Sequence, residues 1–119
     1  MADFTMKTDA DGVAIITWDV QGKSMNVLSL EGWKELDDCV TEALADDAVK
    51  GVVITSGKDT FAGGMDLNSI AKMKASAGDN PAQGLMDGLM ESHGILRKIE
   101  RAGMDPKTKK GGKPIVAAL

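Results

Sequence analysis

Six residues in the middle of the chain, Gly51-Val-Val-Ile-Thr-Ser56, do most to restrict its fold. A short unbroken apolar run of this kind reads as a strand covered on both faces, and it follows a helix-length segment that itself follows another strand-like run. Ser29 is placed to cap that helix and Glu31 falls in its first turn, where the helix dipole favours an acid. Trp33, Leu36, Val40, Ala43 and Leu44 recur at three- and four-residue steps, which puts them on one face. Asp46-Asp47 closes the helix. Strand, helix and strand in this order predict a parallel βαβ unit and an α/β fold.

Around this unit the chain reads as alternating strands, loops and helices. Phe4 to Met6 and Val13 to Val20 form a predicted hairpin, with Asp9-Ala-Asp-Gly12 supplying the turn. Gln21 to Asn26 is a polar loop. After the central strand come the loop Gly57 to Gly64, a short helix from about Asp66 to Met73, and a small, polar connection from Lys74 to Pro81. A second long helix is expected over Ala82 to Arg101, with Met86, Leu89, Met90, His93 and Leu96 on its apolar side. Ala102 to Lys113 is a Gly- and Lys-rich loop, and Pro114 to Leu119 begins another apolar strand. An edge left bare in that way invites aggregation, so either another chain pairs with it or the remainder of the domain has been removed; removal is the expectation.

Composition excludes several classes of function. The 119 residues suit one domain, and a net charge of −4 argues against a general nucleic-acid binder, which needs an excess of Lys and Arg. With two Phe, two Trp and no Tyr, stacking platforms for bases are not expected either. Cys39 is the only cysteine and His93 the only histidine, so neither an internal disulfide nor a metal-ligand set is expected. No basic segment followed by an apolar stretch opens the chain, and no apolar run approaches the ~20 residues of a membrane helix. A reduced, cytoplasmic location is the expectation.

The chemistry concentrates in Thr60-Phe-Ala-Gly-Gly-Met-Asp-Leu67, between the end of the central strand and a helix start. Ligands bind at such places in open α/β sheets. Two successive glycines permit positive φ and close approach to a ligand, so the amide of Met65 can face a developing oxyanion, reinforced by the helix beginning near Asp66. By spacing alone, a glycine pair before a helix is also a common structural turn.

Four motifs in order carry a resemblance that favours the chemical reading: Ser24-Met-Asn-Val-Leu28, Asp47-Ala-Val-Lys-Gly-Val-Val-Ile-Thr-Ser-Gly57, Phe61-Ala-Gly-Gly-Met-Asp-Leu67 and Lys113-Pro-Ile-Val-Ala-Ala118. Together, over nearly the whole chain, they resemble the crotonase (enoyl-CoA hydratase/isomerase) superfamily. The opening Asp11 to Asp19 and Gly22 to Leu28 look most like the hydratase domain of bacterial multifunctional fatty-acid oxidation proteins, which also carry a 3-hydroxyacyl-CoA dehydrogenase region.

The resemblance implies that residues 1–119 are the N-terminal, truncated part of one crotonase-like ββα spiral domain. It implies an enoyl-CoA hydratase acting on trans-2-enoyl-CoA in fatty-acid β-oxidation, with acyl-CoA as substrate and no cofactor for this step; any NAD would serve a later domain. Met65 N–H would be one of two oxyanion donors. Ala62, Gly63, Gly64, Met65 and Asp66 would line the acyl-CoA site, with Asp66 also capping the short helix. Ser24 and Met25 would lie along the pantetheine or nucleotide part of CoA. Met65 stands where Ala is common in the family, which would narrow the acyl channel. The second donor and the catalytic glutamates fall beyond Leu119, so this stretch is expected to be inactive alone and to need its C-terminal part; the intact protein is expected to be an oligomer. The competing expectation is a non-catalytic acyl-CoA-binding or assembly module.

The remaining features have plainer readings. Glu31, Glu35, Glu42, Glu91 and Glu100 read as solvated helix residues, Cys39 as a small buried hydrophobe, and His93 as a hydrogen-bonded packing residue. Lys107, Lys109, Lys110 and Lys113 read as a solvated loop rather than a CoA-phosphate site, and the eight Met residues as core filling. No Walker A loop and no G-x-G-x-x-G occurs.

Overall fold

A computed structural model describes residues 2–119. Its elements run β1 (Phe4–Thr8), β2 (Val13–Trp18), α1 (Leu30–Ala45), β3 (Gly51–Ser56), α2 (Leu67–Ser76), α3 (Pro81–Arg101) and β4 (Ile115–Ala117). The fold is mixed α/β with a four-stranded sheet in the order β1-β2-β3-β4. β1 and β2 form the expected hairpin, whose turn is held by Asp9 Oδ1 accepting from the amides of Asp11 and Val13, both at 2.9 Å. β2 and β3 pair in parallel from Val13↔Gly51 to Trp18↔Ser56, with α1 as the crossover.

α1 begins where Ser29 Oγ accepts the Gly32 amide at 2.9 Å. Leu36, Val40 and Ala43 bury against Ala14, Ile16, Trp18, Val52 and Ile54, with Trp33 and Leu44 packed at the margin of this core. Phe4 stacks on Trp18 with ring centroids 5.2 Å apart, and Phe61 meets Trp18 edge-on at 5.8 Å. The second contact pins the start of the β3–α2 loop to the core.

The expectation that β3 is covered on both faces is corrected. Val52 and Ile54 are buried, but Val53 and Thr55 on the other face are only half-buried. The register places Ile15, Val53 and Val116 in one row across that open face. A radius of gyration of 15.6 Å, against about 13.5 Å for a closed domain of this length, fits a sheet covered on one side. β4 pairs with β3 through Val52↔Ile115 to Ile54↔Ala117, so the terminal strand is paired along one edge within this chain.

α3 is also corrected. The side bearing Met86, Leu89, Met90, His93 and Leu96 is exposed, and the side turned inward carries Gly84, Leu85, Gly88, Ser92, Ile95 and Ile99. A Cβ at Gly84 or Gly88 would collide with Met73 of α2, so glycine lets the two helices close up. The connection expected over Lys74 to Pro81 is shorter, because α2 continues to Ser76 and Asn80 caps α3 by accepting the Gln83 amide at 3.1 Å.

Two charged residues expected in solvent hold the chain together instead. Glu35 Oε2 accepts the amides of Asp3 and Phe4 at 2.7 and 3.1 Å, fixing the start of β1 to α1. Lys113 Nζ donates to the carbonyls of Ala43 and Asp46 at 3.0 and 2.5 Å, supplying the positive charge that the last turn of α1 lacks.

Candidate functional site

The site is assembled by two loops lying side by side. Asn26 in the first loop is fully buried, so each of its polar atoms needs a partner. Its Oδ1 accepts the Val20 amide at 3.0 Å, and its Nδ2 faces Trp18 O, Ser56 Oγ and Phe61 O at 2.9, 2.9 and 3.0 Å. Its main-chain oxygen accepts the Gly63 amide at 2.6 Å. One residue thereby joins the end of β2, the end of β3 and the glycine loop. The sequence reading gave Asn26 no role, although its place beside an apolar Val-Leu pair was the available signal.

Two residues on, Leu28 forms an isolated parallel bridge with Met65. The Leu28 amide donates to Gly64 O at 2.8 Å, and the Asp66 amide donates to Leu28 O at 2.9 Å. Backbone direction alternates along an extended segment, so both polar groups of Met65 point away from Leu28. The Met65 N–H has no hydrogen-bond partner among the described residues, and the residue is half-buried. Gly64 reaches this geometry with φ +106°, a region that side chains disfavour. At Gly63 a Cβ would sit 2.8 Å from Met25 Cε, the mobile end of an exposed side chain that can move aside, so the close approach there is to Met25 rather than to backbone.

Asp66 occupies the N-cap position of α2, but its carboxylate does not take a helix amide, which corrects the expected cap. Oδ2 instead accepts the hydroxyl of buried Ser69 at 3.3 Å, and Ser69 Oγ accepts the Leu30 amide at 3.1 Å. Lys23 Nζ lies 3.7 Å from Asp66 Oδ1. The carboxylate thus ties α2 to the start of α1 and to the first loop. Ala62, Gly63, Gly64 and Ser24 are exposed, as is Met25 against Gly63, so the two loops present one open face.

Of the other candidates, Cys39 is half-buried, and burial followed by Glu42, Glu35 and Asp38 pushes its thiol pKa up. His93 is exposed on α3, so the packing role expected of it does not hold. Lys107, Lys109 and Lys110 are exposed as expected. Among the methionines, Met73 is buried, whereas Met86 and Met90 are not. Among the described residues, no group of three or more His, Cys, Asp or Glu is placed to hold a metal, and no helix is long and apolar enough to cross a membrane.

The bridge between the Asn-x-Leu segment and the glycine loop is the arrangement against which comparison is most telling. Residues 8–94 match the enoyl-CoA hydratase/isomerase family model. The chain belongs to that family. Among curated relatives, the fatty acid oxidation complex subunit alpha of Shewanella oneidensis is 30% identical over 117 residues, covering 98% of this chain and 14% of the relative. The same subunit of Idiomarina loihiensis is 47% identical over 68 residues, covering 56% of this chain and 10% of the relative. The chain therefore spans a small part of these proteins.

The crystal structure of an enoyl-CoA hydratase from Shewanella pealeana superposes with a TM-score of 0.75 at 14% identity, over 97% of this chain and 38% of that one. That of an enoyl-CoA hydratase from Thermoplasma volcanium superposes with a TM-score of 0.72 at 21% identity, over 100% and 40% respectively. These likenesses establish the crotonase fold over about two fifths of its length.

Proposed function

We propose that this crotonase-family chain supplies the front of an enoyl-CoA hydratase site for trans-2-enoyl-CoA thioesters of fatty-acid β-oxidation. The observation that carries the reading is the Met65 amide, unpaired while the groups on either side of it are bonded to Leu28. In hydration, a hydroxyl adds to C3 of the enoyl group and a proton to C2. Between these events negative charge collects on the thioester oxygen. A preorganised N–H aimed at that oxygen stabilises the charge without reorganising, and the start of α2, from Leu67, adds partial positive charge nearby.

Ala62 to Asp66 line the acyl-CoA path in this reading, with Ser24 and Met25 along the pantetheine or nucleotide part. Lys23, exposed and paired with Asp66, orients the first loop against the second. The step transfers no electrons and calls for neither metal nor redox cofactor; any NAD would serve a dehydrogenase elsewhere in a longer polypeptide. The second oxyanion donor and the carboxylates that handle protons belong to segments the family carries after the strand matching β4. The 119 residues alone are accordingly inactive, and the open face of the sheet is covered by the remainder of the domain.

Hydration of crotonyl-CoA tests this. Turnover at background is expected from the 119-residue chain, and activity from a polypeptide continuing with the rest of the domain. In the latter, Met65→Pro removes the N–H and lowers kcat by about 10²–10³. Unchanged turnover in that variant places the donor elsewhere; an acyl-CoA-binding polypeptide that never turns over supports a non-catalytic module instead.

A further inference from the structure

α3 is a helix of 21 residues of which none is buried. Its inner side closes on α2 through Gly84 and Gly88, and its outer side carries Met86, Leu89, Met90, His93 and Leu96, all exposed. The four large apolar side chains among them show between 47% and 60% of their surface to solvent. A contiguous apolar stripe on the outside of a helix marks a contact surface.

Met86, Leu89, His93 and Leu96 follow one another at steps of three, four and three residues, the a and d positions of a coiled-coil seam. The spacing is the same read from either end. Turned over onto a second copy, Met86 lies on Leu96 and Leu89 on His93, and the same two contacts recur beyond the axis. A surface complementary to itself in this way is what a twofold interface requires.

Charge selects the direction. Asp87 follows Met86 and Arg97 follows Leu96, on the same side of the seam. Antiparallel seating brings Asp87 of each copy beside Arg97 of the other. Parallel seating gathers both Arg97 residues at one end and both Asp87 residues at the other. Both side chains are exposed, and their contacts within the chain, Gln83 for Asp87 and Glu100 for Arg97, are surface contacts that exchange readily.

We infer that α3 is the interface of a symmetric dimer, in which two copies of this chain pair antiparallel through the stripe from Met86 to Leu96. The inference stands on α3 alone and uses neither the Met65 amide nor the hydratase reading. A helix of this length runs ~31 Å, and one such helix pair belongs with interfaces below ~1,200 Å², which hold weak complexes. A dissociation constant of about 10–100 μM is accordingly expected.

Sedimentation equilibrium of the 119-residue chain from about 1 to about 500 μM tests this, with the mean mass rising from 12.5 kDa toward twice that value. Met90→Glu sets two carboxylates together near the axis and should keep the chain monomeric at a melting temperature little changed, since Met90 is exposed. Asp87→Arg and Arg97→Glu should each weaken association about tenfold, through like charges met twice. An equimolar mixture of those two variants should recover the parent's affinity, because every facing pair is then opposite in sign. A parent monomeric throughout overturns the inference and leaves the stripe to the rest of the domain. Association that survives Met90→Glu, or a mixture no tighter than its components, also overturns it.

Discussion

Asn26 and Phe61 are joined across 35 residues of sequence by a hydrogen bond of 3.0 Å from the Asn26 side chain to the Phe61 carbonyl. The same side chain, itself with no exposure to solvent, accepts from Val20 and reaches Trp18 O and Ser56 Oγ. Replacement by Ala or Leu leaves the buried Val20 amide and the half-buried Phe61 carbonyl without this partner, each costing about 1–3 kcal/mol. Asn26→Leu, which keeps the branched outline of the side chain but none of its hydrogen bonds, is therefore expected to lower stability by about 2–4 kcal/mol in urea unfolding. A loss below about 1 kcal/mol would show that the loops are held by something else.

Lys113 reaches the carbonyl end of α1, whereas Lys109 and Lys110 lie in solvent. A cation at this end of a helix contributes up to about 2 kcal/mol in a partly buried setting. Lys113→Met should thus cost about 1 kcal/mol, and Lys109→Met and Lys110→Met less than about 0.5 kcal/mol. Equal effects from the three, measured by thermal unfolding, would remove the special role of Lys113.

These residues also show what the sequence revealed and what it concealed. The β2-α1-β3 unit was legible because its buried positions keep strand and helix periods: Ala14, Ile16 and Trp18 alternate, and Leu36, Val40 and Ala43 follow helical steps. The glycine loop was legible because few other residues tolerate its geometry at 64. α3 misled because its close contact with α2 is made by Gly84 and Gly88, which carry no hydrophobic signal, while the Met and Leu stripe lies outside. Glu35 and Lys113 could not be found by pattern, since their partners are main-chain groups distant in sequence.

Asp3 titrates with a raised pKa, chiefly because burial disfavours its charge and next because Glu35 lies close; the Ser29 hydroxyl opposes this. The native state therefore binds the Asp3 proton more tightly than the unfolded chain, whose ordinary value is 3.8. That preference stabilises the protein fully below the ordinary value and is lost as pH rises through the raised one. Asp3→Asn should raise the melting temperature relative to the parent at pH 7, and the difference should shrink as pH falls toward the ordinary aspartate range. A difference that grows on acidification would contradict this assignment.

Cys39 has its thiol pKa raised by burial first and by Glu42, Glu35 and Asp38 thereafter. Alkylation by iodoacetamide at pH 7.5 should be slower in the native chain than in the urea-unfolded chain, since the thiolate is the reacting species. Equal rates in the two states would contradict the half-buried placement of the sulfur.

The central claim concerns the amide of Met65, and proton exchange in ¹⁵N-labelled protein addresses it directly. In the free chain the Met65 N–H should exchange rapidly while those of Gly63 and Asp66, both hydrogen-bonded, are protected. Crotonyl-CoA should slow the Met65 exchange and move its resonance downfield, and CoA alone should do neither. A Met65 amide already protected in the free chain, or one indifferent to saturating thioester, would contradict the account.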